Sequence, residues 1–339
     1  MDRLLNGLRA AAEPTRLRIL SLCARGELSV TELTQILSQS QPRVSRHLKL
    51  LCDAGLLERH REGNWIFHRI AAAGPSAALA RALVELIPPD DPDHGLDLNR
   101  LDAIRRQRAA AAAAYFRRNA EKWDEIRVLH VDDHEVERLL LELLPSGPID
   151  DLLDIGTGTG RILELLAPRV RRAVGIDLSR EMLAVARAKL GRAHCHNCSV
   201  RQADMYRLPM ASASVDLVTI HQVLHFADDP GAAIGEAARV LRDGGRLMIV
   251  DFARHDLEYL RTEHAHRRLG FTDEEVGGWC RAHGLMAGPA VMLRGNPLTV
   301  MVWTADKPSA APRGRRHDLR PAASEADPAS RLPDREMVS

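Results

Sequence analysis

The residues best suited to bind and transform a ligand are three carboxylates and a glycine turn near the middle of the chain. Asp154 ends a short apolar run, and Asp177 and Asp204 stand at the ends of the next two strand-like segments. Three glycines follow Asp154 at alternate positions: Gly156, Gly158 and Gly160. Glycine in such a turn lets a ligand approach the backbone, because no Cβ intervenes and positive φ is allowed. A carboxylate accepts hydrogen bonds from paired hydroxyls or from an amine, so this set could hold a polar ligand.

The segments around these carboxylates alternate between strand and helix patterns. Helical periodicity follows the apolar runs at 161–166, 230–241 and 272–283. Further strands are predicted at 215–220, 246–252, 291–294 and 299–303, the last two as a hairpin around Gly-Asn-Pro. Alternation of this kind predicts an α/β fold with a doubly wound sheet, whose ligand lies beyond the carboxyl ends of the strands.

The glycine spacing and a later run resemble a known enzyme family. The turn is G-x-G-x-G and not the G-x-G-x-x-G of a dinucleotide site, and the fourth predicted strand leads into HQVLHF and then EAARVLRDGG. On these motifs, residues of about 101–306 resemble the Rossmann-like class I S-adenosylmethionine (SAM) methyltransferases, in particular the ubiquinone and menaquinone biosynthesis type. The resemblance implies SAM as cofactor and a small molecule as methyl acceptor.

The resemblance also implies a role for each carboxylate. Asp154 takes the place that faces the amino acid end of SAM, and Asp177 the place that binds both ribose hydroxyls. Asp204 matches the acid that accepts from the adenine amino group, with Met205 beside the ring. The implied SAM-binding residues are Asp154, Gly156, Thr157, Gly158, Gly160, Asp177, Leu178, Asp204, Met205 and His221. The alternative for Asp154 and Asp204 is that they only form turns at strand ends.

Two histidines after the fourth predicted strand are candidates for moving a proton. His221 follows the strand directly, and His225 stands four residues further on. A general base is needed only where the acceptor has a proton that must leave, and the usual histidine pKa of about 6.5 suits that task. We therefore predict His221 as the catalytic base, with the alternative that both histidines only line the pocket.

The first 88 residues show a second pattern, helices followed by a β-hairpin. Helices are predicted to begin near Pro14, Ser29 and Ser40, each at a capping or first-turn residue. Strands are predicted at 56–61 and 65–70, around a Glu-Gly-Asn turn. This order predicts a winged helix-turn-helix. The run from EPTRLRIL to NWIFHRI resembles the arsenic- and metal-responsive, ArsR-type family of transcriptional repressors.

The predicted third helix and the hairpin contain the side chains that DNA recognition needs. Cations contact phosphates, and short polar or forked side chains read base edges in the major groove. The candidate DNA-binding residues are Ser40, Gln41, Arg43, Ser45, Arg46, His47, Lys49, Arg59 and Arg61. Eleven Arg and Lys against seven Asp and Glu give residues 1–70 a charge of +4, whereas the whole chain has +1. The expected partner is a double-stranded DNA operator; an ordinary solvated helix face is the alternative.

Two apolar stripes flank this region and suggest a subunit contact. They are Leu4, Leu5 and Leu8 at the start, and Leu79, Leu83, Val84 and Ile87 at the end. In ArsR-type repressors the first and last helices pair two subunits, so the resemblance implies a homodimer that matches a two-fold operator. Alternatively, both stripes cover only the small core.

The length of 339 residues allows two domains. The expected division is 1–88 for the winged helix-turn-helix, 89–100 for a linker, 101–306 for the methyltransferase domain and 307–339 for a disordered tail. A helix at 99–118 is expected to cap the methyltransferase domain. Its Tyr115 and Phe116, together with Trp123, are core residues or contacts to the substrate.

The predicted location is the cytoplasm. No stretch approaches the roughly 20 apolar residues of a membrane span, and no signal peptide pattern is visible. Five cysteines, an odd number, fit a reducing compartment. Cys195 with Cys198, and His264 with His266, are alternatives as metal sites, but four converging ligands are not evident and no metal is predicted.

The predicted function is a DNA-binding transcriptional regulator with a fused SAM-dependent methyltransferase. One alternative is a repressor whose methyltransferase-like domain senses SAM or its product S-adenosylhomocysteine (SAH) without turnover. Another is an enzyme whose winged helix only mediates dimerisation or protein contacts. The acceptor, the operator and the direction of regulation do not follow from the sequence.

Overall fold

The first 85 residues fold into helices and a small antiparallel sheet around an apolar core. The computed structural model describes residues 1–62, 65–71, 74–120, 123 and 133–309. The first elements are α1 (Asp2–Ala11), α2 (Pro14–Ala24), β1 (Leu28–Ser29), α3 (Val30–Leu37), α4 (Gln41–Asp53), β2 (Leu57–Glu62), β3 (Trp65–Ile70) and α5 (Pro75–Glu85). Strand β3 pairs with both β1 and β2. The predicted winged helix-turn-helix is confirmed, while the tip of its hairpin at 63–64 lies outside the described residues.

Helix α6 (Pro92–Asn119) connects this region to the rest of the chain. It begins within the predicted linker at 89–100 because Asp91 caps it, accepting a hydrogen bond from His94 N at 2.8 Å, and because Pro92 fits its first turn. Asp97 is fully buried and binds Arg18 of α2 through two bonds of 2.6 and 2.7 Å. The first half of α6 is therefore packed against the N-terminal core.

The remaining described residues form a large sheet with helices on both faces. Its elements are α7 (Asp133–Glu142), β4 (Ile149–Ile155), α8 (Arg161–Leu166), β5 (Val170–Asp177), α9 (Arg180–Arg192), β6 (Cys198–Gln202), β7 (Val215–His221), α10 (Pro230–Val240), β8 (Leu241–Phe252), α11 (Tyr259–Glu263), α12 (Asp273–Ala282), β9 (Met286–Ala287), β10 (Val291–Leu293) and β11 (Val300–Asp306). The strand order is β10-β11-β8-β7-β4-β5-β6, and β9 pairs with β11.

The register of this sheet determines where a ligand can lie. Strands β4 to β8 run parallel, whereas β11 is antiparallel to β8. The chain leaves β4 toward β5 on one side and returns to β7 on the other, so a switch point lies at the carboxyl end of β4. The predicted Rossmann-like, doubly wound α/β fold is confirmed.

Apolar side chains cover both faces of the sheet and give it two separate core layers. Leu153 and Ile155 of β4 pack on one face with Ile234 of α10, and Leu152 packs on the other with Leu163 of α8. This alternation along one strand is the two-residue period expected of a sheet that is buried on both sides.

The C-terminal end of the described chain lies against the sheet. Lys307, placed by prediction in the tail, donates from its ammonium group to the carbonyls of Ala238 and Leu241 at 2.9 and 2.8 Å. The rest of the predicted disordered tail, 310–339, lies outside the described residues. No helix among the described residues combines the length and apolar character needed to cross a membrane.

Candidate functional site

The glycine turn lies between β4 and α8, at the switch point of the sheet. Gly156, Gly158 and Gly160 have φ values of 70°, 52° and 84°. A Cβ on Gly156 would lie 2.5 Å from Cγ2 of Val223, so both the dihedral angle and the space require glycine there. Gly160 packs against Ala186 and does not line the cavity described below.

Asp177 holds the turn in place from the end of β5. One carboxylate oxygen accepts from Gly158 N at 2.9 Å and the other from Ser179 N at 2.8 Å. Burial raises the pKa of this carboxyl, while these backbone donors oppose the rise. Each oxygen keeps acceptor capacity, which suits binding of a vicinal diol.

Asp154 is buried beneath the turn with 1% of its surface exposed. One oxygen accepts from the Thr219 hydroxyl at 2.7 Å. Within the described residues, its Oδ2 makes no hydrogen bond of good geometry, although the Thr157 hydroxyl lies nearby. Burial raises the pKa of this carboxyl to about 6, opposed by the Thr219 and Thr157 hydroxyls. A buried carboxylate oxygen with this spare acceptor capacity fits a cationic ligand group such as an ammonium.

Asp204 and Met205 follow β6 and are half-buried. Asp204 accepts from Tyr206 N at 2.9 Å, which makes a local turn and leaves the second oxygen to other donors. Met205 packs at the edge of the core layer around Ile155. Leu178, beyond Asp177, is 56% exposed.

A cavity of about 640 Å³ brings most of these residues together. The predicted cofactor residues that line it are Asp154, Gly156, Thr157, Gly158, Asp177, Leu178, Asp204, Met205 and His221. Its volume lies within the roughly 300–1,000 Å³ typical of small-molecule sites. The residues fit SAM: carboxylates face the cavity where an ammonium, a ribose diol and an adenine amino group need acceptors, and a glycine turn lines it.

The two candidate histidines occupy different surroundings. His221 is the last residue of β7 and lines the cavity. His225 is buried outside the cavity lining, and its Nδ1 lies 2.8 Å from Oδ1 of Asp251, which is also buried. His266 stacks on His225 with ring centroids 4.1 Å apart and faces the cavity. Thus His221 faces the cavity and His225 does not. His266, which the sequence suggested only as an alternative metal ligand with His264, also faces the cavity.

Aromatic side chains form a further part of the cavity wall, and Trp123 lies beside the glycine turn, 3.6 Å from the position of a Cβ on Gly158. Phe116 lies 4.8 Å from Phe226 and 5.3 Å from Trp123, measured between ring centroids. Both Phe116 and Trp123 line the cavity, whereas Tyr115 is buried and pairs its hydroxyl with His264 Nδ1 at 2.9 Å. Two predicted substrate contacts therefore face the cavity, and the third packs beside it.

The winged helix-turn-helix contributes to the same wall, which sequence reasoning also missed. Glu32 of α3, and Trp65 and Phe67 of β3, line the cavity. The sequence signal that could have indicated this contact is the Trp-Ile-Phe run in the wing. In the folded chain its first residue, Trp65, is 41% exposed.

The predicted DNA-binding side chains lie largely on one face of α4 and on β2. The opposite face of α4 buries Val44, Leu48 and Leu51 in the core. The exposed candidates are Ser40, Gln41, Arg43, Ser45, Arg46, Lys49, Arg59 and Arg61. His47 is half-buried, with Nδ1 3.7 Å from Glu13 Oε2, and burial lowers its pKa. It is therefore turned toward the core more than the other candidates.

The two predicted subunit-contact stripes lie on helices that touch. A Cβ on Gly7 of α1 would lie 2.6 Å from Leu79 of α5. Leu4, Leu5 and Leu8 stay 39–47% exposed. Leu79 packs at the edge of the core, so only the α1 stripe projects apolar surface outward.

The cysteines and histidines considered as metal ligands have other contacts. Cys198 Sγ lies 3.7 Å from the Leu163 carbonyl, and burial raises its pKa to about 12. Across the described ranges, no group of three or more His, Cys, Asp or Glu is arranged to hold a metal ion.

Comparison with known proteins finds two families in the chain. The family model "Methyltransferase domain" matches residues 153–249, and "Bacterial regulatory protein, arsR family" matches residues 13–59. The first includes β4 to β8, and the second includes α2 to α4.

Individual relatives fall into the same two groups. A ubiquinone biosynthesis O-methyltransferase of Azotobacter vinelandii is 30% identical over 165 residues, which is 44% of this chain and 69% of the relative. An arsenic resistance transcriptional regulator of Pseudomonas putida is 50% identical over 60 residues, 17% of this chain and 47% of the relative. The crystal structure of YcgJ from Bacillus subtilis is similar at 19% identity with a TM-score of 0.46, covering 52% of this chain and 100% of that chain.

The match to relatives is partial in length. The chain spans 32%, 53% and 52% of three further curated relatives. The family prediction and the fused architecture are nevertheless confirmed. The chain belongs to the SAM-dependent methyltransferase family, and it joins a methyltransferase domain of that family to a bacterial regulatory region of the arsR family.

Proposed function

We propose that the protein is a DNA-binding transcriptional regulator whose methyltransferase domain binds SAM and methylates a small molecule. The observation that supports this best is the cavity at the switch point of the sheet, where Asp154, Asp177 and Asp204 face a glycine turn. An exposed cationic face on α4 supports the DNA-binding half of the proposal.

The SAM site is tested at the ribose. We propose that Asp177 binds the two ribose hydroxyls, and losing this pair of charge-assisted bonds should cost about 1.5–3 kcal/mol, roughly tenfold to hundredfold in affinity. Isothermal titration of SAM against wild type, Asp177→Asn and Asp177→Ala measures this. Asp150→Ala, an exposed carboxylate on the same sheet, is the control. Equal affinities for all four proteins would remove Asp177 from the site.

Catalysis would consist mainly of alignment. SAM supplies a methyl group on a positively charged sulfur. His221 would take the proton that a hydroxyl acceptor loses as its lone pair bonds the methyl carbon, the carbon–sulfur pair remaining with sulfur. The cavity walls hold the acceptor in line, and such positioning can provide much of the acceleration.

Turnover is tested with labelled SAM and a panel of phenolic and quinol acceptors. We expect His221→Ala to lose methyl transfer even at saturating SAM, by more than its loss as a cofactor contact lowers SAM affinity, because the residue lies at the end of β7 facing the cavity. Full turnover by this variant would exclude His221 as the base. Binding of SAM by wild type without turnover on any acceptor would favour a regulator that only senses SAM or SAH.

DNA recognition is assigned to α4, with Arg43 and Arg46 as the leading contacts. A base-reading arginine contributes about 1–3 kcal/mol and specificity, whereas a phosphate contact contributes mainly salt dependence. Fluorescence anisotropy on DNA from upstream of the gene should show weaker binding by Arg43→Ala/Arg46→Ala. The control Arg187→Ala/Arg192→Ala removes the same charge from exposed positions of α9. An equal loss of DNA affinity in both double variants would mean that only the net charge of the protein matters, and not the position of Arg43 and Arg46.

A dimer and a cytoplasmic location complete the proposal. The exposed leucines of α1 beside α5 support pairing of two winged helix-turn-helix units. A regulator that binds an operator acts in the cytoplasm. We retain the division into 1–88 and 101–306, with α6 joining the two parts.

A further inference from the structure

The cavity is shared between the two domains. Gly156, Asp177 and His221 line it from the methyltransferase domain, while Trp65 and Phe67 line it from the wing. The polar groups suited to SAM stand at the carboxyl ends of the strands. A methyl acceptor has to lie beside SAM, so the remaining wall, which includes the wing, is the surface it would meet.

The lining of that wall favours a flat aromatic molecule. Phe116, Trp123 and Phe226 form edge-to-face pairs, and Trp65 stacks on Phe67 with ring centroids 6.3 Å apart. Aromatic rings bind other rings in stacked or edge-to-face geometry and gain by the burial of their surface. Trp65 lines the cavity and is 41% exposed over the whole residue, so a ligand can still cover part of it.

The charges around the wall balance within the protein. Arg108 pairs with Glu32 of the helix-turn-helix and with Asp228, and Arg267 lies 2.7 Å from the same Asp228. Arg261, which also lines the cavity beside Phe67, lies 3.6 Å from Glu258. The three guanidinium groups thus have carboxylate partners within the protein. Burial lowers the pKa of Arg108 to about 10. An ionic acceptor would lose its hydration in the cavity and would be repelled by the groups of like charge there. A neutral acceptor avoids both costs.

The wall is mechanically continuous with the DNA-facing strand. Phe67 pairs with His60 in the β2–β3 ladder, and the rings stack 5.5 Å apart. His60 lies between Arg59 and Arg61, the wing residues assigned to DNA. From the methyltransferase domain, Arg261 lies 5.6 Å from the Phe67 ring centroid.

A shared carboxylate adds a second link between wing and methyltransferase domain. Glu27 pairs with Arg268 at 2.7 Å and with Arg69 of β3 at 3.2 Å. A displacement of β3 therefore changes contacts on both sides of the domain boundary.

We infer that the methyl acceptor is an uncharged, flat aromatic molecule bound between the two domains against Trp65 and Phe67, and that its binding changes the affinity of the wing for DNA. This inference rests on the proposed SAM-dependent function. Regulation requires that the ligand bind the DNA-bound and free arrangements of the wing with different affinity; contact with Trp65 and Phe67 is the means by which we expect this, and the coupling is then reciprocal.

Ligand binding is measured on the full chain in the presence of SAH, which prevents turnover. The probes are 1-naphthol, its saturated analogue decahydro-1-naphthol, and anionic 1-naphthoate, each by isothermal titration. We expect 1-naphthol to bind at least tenfold more tightly than the other two. Trp65→Ala should lower 1-naphthol affinity at least fivefold and leave SAH affinity unchanged. Ile66→Ala is the matched control, because Ile66 is 43% exposed on the same strand but does not line the cavity.

Coupling to DNA is measured by anisotropy on the upstream duplex with SAH, with and without 1-naphthol. We expect 1-naphthol to change DNA affinity at least threefold in wild type and Ile66→Ala, and to have no effect in Trp65→Ala. Equal 1-naphthol affinities of Trp65→Ala and Ile66→Ala, or tighter binding of 1-naphthoate than of 1-naphthol, would overturn the inference. If wild type still bound SAH and DNA in that case, the proposed function would stand. Failure of wild type to bind SAH would overturn both.

Discussion

Replacing Asp154 by Asn should separate the cost of burying this carboxylate from its use in binding. Asp154 is 1% exposed, and burial raises its pKa from 3.8 to about 6. A shift of one pKa unit corresponds to about 1.36 kcal/mol, so keeping the carboxylate charged costs the SAM-free protein about 3 kcal/mol. Asn keeps the shape and the acceptor for the Thr219 hydroxyl, and it removes the charge.

The sign of the pH dependence follows from linkage. Because the folded state holds the Asp154 proton more tightly than the unfolded chain, the contribution of Asp154 to wild-type stability falls as pH rises from about 4 to about 6 and then levels off. Asp154→Asn has no such loss. We expect the difference in unfolding free energy, variant minus wild type, to increase by about 2 kcal/mol between pH 4 and pH 6.5.

Urea unfolding of SAM-free protein at pH 4, 5, 6 and 7 measures this difference. The introduced amide can itself change the free energy of unfolding, but that change is the same at every pH. The test is therefore how the difference between variant and wild type varies with pH. Asp150→Asn, exposed on the same strand, should give no slope. A difference between Asp154→Asn and wild type that does not vary with pH would refute the argument that burial of this carboxylate is costly.

Three further predictions concern the cofactor, the turn and the domain contact. SAM affinity should fall about tenfold per pH unit below pH 6 in wild type but not in Asp154→Asn, because the ammonium needs the ionised carboxylate; titration at pH 5 and 7 with equal affinities would contradict this. Gly156→Ala should destabilise the protein by about 2 kcal/mol or more, exceed the effect of Gly158→Ala, and be partly rescued by Val223→Ala; chemical unfolding compares them. Asp97→Asn should cost about 3 kcal/mol by breaking a buried ion pair, which unfolding against the exposed Asp93→Asn measures.

Local signals in the sequence were sufficient for both folds and for the polar half of the site. Strand-end carboxylates and the glycine turn depend on backbone geometry that short segments specify, so Asp177 and Gly158 could be paired by motif before any contact was known. Helix caps such as Ser29 likewise act within a few residues. The predicted start of helix α6 lies seven residues too late, at 99 and not at Pro92, because the start depends on a cap at Asp91 within a segment whose prolines suggest a linker.

Contacts between distant segments determined the rest of the site. That Val223 closes over Gly156, that Asp154 is buried with one oxygen that makes no hydrogen bond of good geometry in the described residues, and that His225 turns to Asp251 follow from packing across the sheet. The wing residues Trp65 and Phe67 reach the same cavity through contacts of the wing region with the methyltransferase domain, such as Glu27 with Arg268 and Phe67 with Arg261. Motif spacing specifies which backbone turns a chain can make. Burial, charge pairing and shared cavity walls depend on side chains from segments far apart in the sequence, and only the tertiary structure specifies those.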